Sequence, residues 1–120
     1  EENFLRVGNA EVLNDRIFIN KVVSRNNSWL VVYRYDNTQE HGIGDRITDA
    51  KLSAGHHSDI ELQLSRGKGF APDPGVQLVV ALHENAVDLQ ELDEFNSTED
   101  DLIFVQGNPL TELVTLIAPE

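Results

Sequence analysis

The sequence Trp-Leu-Val-Val-Tyr-Arg-Tyr at residues 29–35 decides the fold. Successive side chains of a β-strand point to opposite faces of the sheet. The residues on one face are therefore Trp29, Val31, Tyr33 and Tyr35, and those on the other are Leu30, Val32 and Arg34. Because both faces are mainly apolar, we predict a strand at the centre of a sheet, covered on both sides.

Further short runs of β-branched and aromatic residues lie on either side of this stretch, separated by Gly, Pro, Asn and Asp. Such separators are typical of turns between strands. We predict the other strands at residues 4–7 or 4–13, 16–23, 46–48, 60–64, 76–83, 102–106 and 110–118. No window has sustained helical periodicity. Seven or eight short strands in one chain of 120 residues predict an all-β antiparallel sandwich, with a small barrel as the alternative.

Three segments carry a family resemblance. The first is the pair of runs at residues 17–23 and 29–33, joined by a polar turn. The second is residues 52–64, where a Ser-Ala-Gly turn precedes a strongly alternating strand, and the third is residues 78–83, a buried strand ending in histidine. In this order they resemble a family of uncharacterised Ig-like domains of archaeal and bacterial exported and cell-surface proteins. The resemblance implies an Ig-like sandwich at residues 15–120, preceded by an N-terminal extension at residues 1–14, and no known catalytic chemistry.

The charge of the chain excludes one class of partner. The net charge is −12, and all nine Lys and Arg fall within residues 1–68 beside ten acids, whereas residues 69–120 hold eleven acids and no base. Binding to DNA or RNA needs clustered Lys and Arg, so we expect no nucleic-acid partner. The uncharged apolar stretches at residues 78–82 and 113–118 are far shorter than the roughly 20 residues of a membrane span, and we predict none.

Cysteine and methionine are both absent, even at position 1. The lack of Cys excludes disulfides, a cysteine nucleophile and a blue-copper site. The missing initiator favours a processed, exported protein, and we expect an extracellular or cell-surface location. No serine lies in a nucleophile-elbow pattern, and carboxylates in an exposed loop stay ionised, so we predict no enzyme and no catalytic residue.

An acidic loop is predicted between residues 84 and 101, with eight carboxylates and no base. Crowded carboxylates repel one another, and calcium relieves this by gathering about six to eight oxygens. The candidate calcium ligands are Asp88, Glu91, Asp93, Asp100 and Asp101. Their order does not match an EF-hand, and the alternative is a solvated loop that serves solubility.

Two weaker kinds of site are also predicted. His56, His57 and His83 fall at strand ends, where imidazoles that approach one another can bind zinc or copper, although spacing supplies no further ligand. The alternative is a structural, hydrogen-bonded role for each histidine. Asn26 and Asn96 each begin an Asn-X-Ser/Thr triplet in a predicted loop, which makes them candidate glycosylation sites.

The N-terminal extension is too apolar for a disordered tail. Its apolar residues are Phe4, Leu5, Val7, Val12 and Leu13. They are buried either as an extra strand on the chain's own sandwich or as a strand donated to the open sheet edge of a neighbouring copy. Head-to-tail donation does not close, so it produces a filament.

These patterns predict a non-enzymatic extracellular structural or cell-surface module, in its sharpest form a filament subunit that polymerises by N-terminal strand addition. Its expected partners are copies of itself in a head-to-tail homopolymer, or other cell-surface proteins. The alternative is a calcium-binding or ligand-binding module of a surface protein. No cofactor other than calcium is expected.

Overall fold

Strand β3 (Ser28–Tyr35) lies inside the larger of the two main sheets in the computed structural model, which describes residues 3–11, 16–64, 73–84 and 101–117. It pairs antiparallel with β4 (Ile43–Leu52) on one side and with β6 (Gln77–Glu84) on the other. Residues 28–33 are all buried. Apolar side chains on both faces of this strand are therefore covered, and its predicted central position is confirmed.

The described residues form an all-β antiparallel sandwich, which confirms the predicted fold class. The smaller sheet has the order β1 (Phe4–Glu11), β2 (Arg16–Ser24), β5 (Gly55–Gln63). The larger sheet has the order β10 (Thr111–Thr115), β6, β3, β4, with β7 (Asp101–Leu102) paired to the end of β6. A short hairpin is formed by β8 (Phe104–Val105) and β9 (Asn108–Pro109).

The main core fills the space between the two sheets. The smaller sheet contributes Leu5, Ile17, Ile19, Val22 and Leu62, and the larger sheet contributes Leu30, Val32, Leu78, Val80, Leu82 and Val114. Full burial of such a side chain is worth about 1.5–3 kcal/mol, so this cluster is the chief source of stability. A second buried cluster lies on the other face of the larger sheet.

Two strands are longer than their sequences predict. β4 has ten residues instead of the three predicted, because it follows β3 from the pair Ser28 and Leu52 to the pair Tyr35 and Ile43. β5 begins at Gly55, five residues before the predicted start, because it pairs with the whole of β2. In both cases the partner strand, more than local apolar alternation, sets the length.

The predicted strand at residues 102–106 is interrupted. The N–H of Ile103 donates to the carbonyl of Leu82 at 3.0 Å, and the N–H of Leu82 donates to the carbonyl of Leu110 at 3.3 Å. The residues on either side of the β8–β9 hairpin, Ile103 and Leu110, therefore both bond the same residue of β6, Leu82. Its turn residues Gln106 and Gly107 both have positive φ, 53° and 83°, as tight hairpin turns of type I′ require.

Candidate functional site

β1 is an edge strand of the smaller sheet, paired with β2 of the same chain. Leu5 lies opposite Val22 and is only 4% exposed, whereas Phe4 is 40% exposed. Val7 packs partly against the core. This is the first of the two arrangements that the sequence allows for the N-terminal residues. Val12 and Leu13, the other predicted assembly residues, lie outside the described part of the chain.

The ladder between β1 and β2 is irregular. Its register shifts between Arg6 and Val7 and again between Val7 and Ala10. Such irregularities interrupt the hydrogen-bond ladder of a strand pair. At the start of the strand, the side-chain Oδ1 of Asn3 accepts the N–H of Arg25 at 2.8 Å. β1 is thus attached by its apolar face, an interrupted ladder and a polar contact at its beginning.

The three histidines predicted as transition-metal ligands are divided between the two sheets. His56 and His57 are adjacent on β5, so they point to opposite faces of the smaller sheet, and His57 Nε2 donates to the carbonyl of Ser53 at 2.7 Å. His83 lies on β6 in the larger sheet and is 6% exposed. Within the described ranges, no group of three or more His, Cys, Asp or Glu side chains is placed to hold a metal ion.

His83 forms a buried polar pair with Tyr33, which sequence reasoning missed. The Tyr33 hydroxyl lies 2.8 Å from His83 Nε2, and the two ring centroids are 5.9 Å apart. Tyr33 is 5% exposed and belongs to the outer apolar cluster of the larger sheet. Burial raises the pKa of Tyr33 to about 12, while Arg46 opposes this shift and Asp49 adds to it. The phenol therefore stays neutral and remains a hydrogen-bond donor at physiological pH.

A pH titration tests the burial of Tyr33, because the chain has only two tyrosines. In the Tyr35→Phe variant, Tyr33 is the sole phenol, and we expect its tyrosinate absorbance to appear with a midpoint of about 12, against about 10 for an ordinary tyrosine. The folded state holds this proton more tightly than the unfolded state does. The resulting stability is complete below about pH 10 and is lost as the pH rises through about 12.

The matched control is Tyr33→Phe, which should lack this alkaline loss of stability in denaturant unfolding series. At neutral pH, Tyr33→Phe removes one hydrogen-bond partner of the buried His83 and should cost about 1–3 kcal/mol. A Tyr33 midpoint near the ordinary value, or the same alkaline decline in Tyr33→Phe, would contradict the burial of the Tyr33 phenol.

The candidate calcium ligands belong to the predicted acidic loop. Asp88, Glu91, Asp93 and Asp100 lie outside the described residues, as does the side chain of Asp101, whose backbone pairs with Glu84. Calcium binding therefore stays a prediction.

The two glycosylation candidates also stay predictions, and Asn96 lies outside the described residues. Asn26 lies in the turn between β2 and β3, where its Nδ2 donates to Glu84 Oε1 at 3.2 Å. The hydroxyl-bearing residue of its triplet, Ser28, is 1% exposed. In the folded chain this triplet is therefore engaged in local contacts.

A polar junction joins the two sheets at one end of the sandwich. Here β2 of the smaller sheet continues into β3 of the larger one, and the hydroxyls of Ser24 and Ser28 lie 2.7 Å apart, both buried. The connection from β4 to β5 contacts the β2–β3 turn at this junction, since Asn27 Oδ1 accepts the N–H of Ala54 at 3.2 Å. The sequence signal was the polar run at residues 24–28, but its partners are distant in the chain.

The opposite end carries an open polar groove of about 470 Å³, lined by Arg34, Tyr35, Asp36, Asn37, Gly44, Asp45 and Gln77. The carboxylate of Asp36 accepts the N–H and the hydroxyl of Thr38 at 2.9 and 2.6 Å, and these bonds lower the pKa of Asp36. A Cβ at Gly44 would lie 2.6 Å from the carbonyl oxygen of Arg34, so the chain needs glycine there. The groove offers carboxylate, amide and guanidinium groups, which suit a polar ligand.

The strand order and these edges define the class of protein, an antiparallel β-sandwich module. Residues 4–116 match the family model described as Domain of unknown function (DUF7282), and the chain belongs to this family. The match begins at residue 4 and so includes β1. Neither the curated proteins nor the solved structures gave a match to this sequence. Among the residues described, no helix has the length and apolar character needed to cross a membrane.

Proposed function

We propose that the chain is a non-enzymatic structural module of an extracellular or cell-surface protein, and that it assembles with copies of itself through β1. The observation that carries this proposal is the position of β1. It is the first described strand, it lies at a sheet edge, and its Leu5 is buried in the core. A strand with these properties can leave its own sheet and occupy the same place in a neighbour.

The order of the strands supports an Ig-like module. In Ig sandwiches, strands A, B and E share one sheet, while strands C, F and G share the other. β1, β2 and β5 correspond to the first set, and β3, β6 and β10 correspond to the second. β4 takes the extra position beside β3 that variable-type domains fill. Sandwiches of this architecture occur in many cell-surface proteins, which supports the proposed location.

Exchange of β1 between copies would reproduce the contacts that the chain makes with itself. The pairs Phe4 with Val23 and Leu5 with Val22 would form between two copies instead of within one. Because the contacts are the same, such swapping is a low-cost route to association. When each copy gives β1 to the next, the contact is head-to-tail, and the assembly grows as a filament.

Deletion of residues 1–13 tests this function. We expect filaments of the full chain in negative-stain micrographs and none from residues 14–120, because the donated strand is missing. The shortened domain should also aggregate or unfold, since the core contact of Leu5 and the pairing of β2 are lost. A chain that remains a soluble monomer both before and after the deletion would overturn assembly through β1.

A further inference from the structure

Four of the longer described strands lie at sheet edges, and they differ in how they resist pairing with another chain. These strands are β1 and β5 in the smaller sheet and β4 and β10 in the larger one. Natural edge strands are protected by bulges, charges or proline. The pairing of β1 with β2 and that of β4 with β3 each have two register shifts. β5 contains Asp59, whose φ is 51°. β4 also carries four charged residues, Asp45, Arg46, Asp49 and Lys51.

β10 lacks these protections. It pairs with β6 over five consecutive residues without a register shift, and its sequence, Thr-Glu-Leu-Val-Thr, contains one charge and no proline. Leu113 is 55% exposed and Ile117, just after the strand, is 50% exposed. They are two of the four large apolar side chains that are exposed among the described residues. β10 is therefore a regular and partly apolar edge.

The backbone of β10 also presents hydrogen-bonding groups on its outer side. The N–H of Leu116 donates to the carbonyl of Val76, and the carbonyl of Leu116 accepts the N–H of Gly75. The carbonyl of Leu110 accepts the N–H of Leu82. The main-chain groups of the even-numbered residues therefore point toward β6. Main-chain groups alternate in direction along an antiparallel strand. Those of Thr111, Leu113 and Thr115 therefore point away from β6.

β1 lies close to this outer side without pairing with it. No other described strand pairs with it, and a groove of about 240 Å³, lined by Val7 and Gly8 of β1 and by residues 112–115 and 117, runs beside it. Unpaired main-chain groups along such an edge are a template for pairing with another strand.

We propose that β10 pairs antiparallel with β10 of a second copy of this chain, about a two-fold axis at Leu113. In this register Leu113 faces Leu113, and Thr111 faces Thr115 of the second copy, as the outward-pointing groups require. Cross-strand Thr pairs are favourable, and Glu112 faces Val114, so no like charges are directly opposed. A register centred on Glu112 would instead place two carboxylates face to face, which is unfavourable. The contact is isologous and closes as a dimer.

This contact is geometrically distinct from β1 exchange. Strand exchange through β1 is head-to-tail and open-ended, whereas the β10 contact joins two identical edges and stops at two copies. The dimer can therefore exist whether or not filaments form, and the two proposals fail separately.

Cysteine cross-linking of the full chain tests the register, since the chain has no cysteine of its own. Residues paired by main-chain hydrogen bonds across two antiparallel strands have Cα atoms about 5.5 Å apart, within the range of a disulfide. Leu113→Cys should form a covalent dimer on mild oxidation. Phe104→Cys is the matched control, because Phe104 is 52% exposed but lies on the β8–β9 hairpin. Equal cross-linking of both variants would overturn the proposal.

Charged substitutions at Leu113 give a second test of the dimer. Leu113→Glu and Leu113→Lys should each be monomeric in sedimentation equilibrium, because the two-fold axis opposes each new charge to its own copy. An equimolar mixture should regain a dimer that contains one chain of each kind, and Phe104→Glu should dimerise like the unchanged protein. A monomeric unchanged protein, or a mixture that stays monomeric, would refute β10 pairing.

Discussion

Replacement of Trp29 by alanine is expected to lower the free energy of unfolding by about 3–5 kcal/mol. Trp29 is 1% exposed, although it points away from the core between the sheets. It belongs to the outer cluster with Val31, Tyr33, Val79 and Ala81. Loss of the indole would leave a cavity in this cluster and would uncover His83, which lies opposite Trp29 on β6.

The measurement is denaturant unfolding followed by far-UV circular dichroism, because the only tryptophan of the chain is the one removed. Lys51→Ala is the matched control. The Lys51 ammonium lies 5.9 Å from the indole centroid, and an exposed contact of this kind is worth about 0.5–1 kcal/mol. A Trp29→Ala variant that loses no more stability than Lys51→Ala would show that the outer cluster contributes little to folding.

The central strand was predictable because it is apolar on both faces. Leu30 and Val32 enter the core between the sheets, whereas Trp29, Val31 and Tyr33 enter the outer cluster. A run with this pattern has no stable place at the surface of a sandwich. Its own sequence was therefore sufficient to predict its central position.

The full length of β4 was not predictable, because its sequence gives little local signal. Asp45, Arg46, Asp49 and Lys51 interrupt any apolar alternation. The segment is a strand because β3 offers a ladder along its whole length. Strand formation depends strongly on such neighbours, so a strand of this kind is visible only once its partner is placed.

The candidate sites were predictable to the extent that their chemistry is local. The apolar character of the N-terminal residues indicated burial, but the same contacts form in one chain or between two copies. The partner of His83 is Tyr33, which is 50 residues away, so strand-end position alone could not distinguish a metal ligand from a hydrogen-bonded side chain. The regular β10 edge became apparent only when its register and outward-facing groups were known.

Leu5→Asp is expected to detach β1 and to lower the free energy of unfolding by about 3–5 kcal/mol. Leu5 is 4% exposed, so a carboxylate there would lie among apolar side chains without a partner, which is strongly unfavourable. Since β1 lies at a sheet edge and pairs with β2 alone among the described strands, the chain can avoid this by releasing the strand. Amide exchange should then accelerate at the β2 amides that bond β1, while the β2 amides that bond β5, together with β3 and β6, keep their protection.

Phe4→Asp is the control on the same strand, because Phe4 is 40% exposed and a surface substitution usually changes stability by less than about 0.5 kcal/mol. Slow exchange in Leu5→Asp at the β2 amides that bond β1 would mean that β1 is held by something other than its apolar face. The same variant also bears on assembly, since a donated β1 would bury the same carboxylate in the neighbouring copy. Filaments should therefore disappear together with the protection of these β2 amides, and filaments that persist in Leu5→Asp would contradict exchange of this strand.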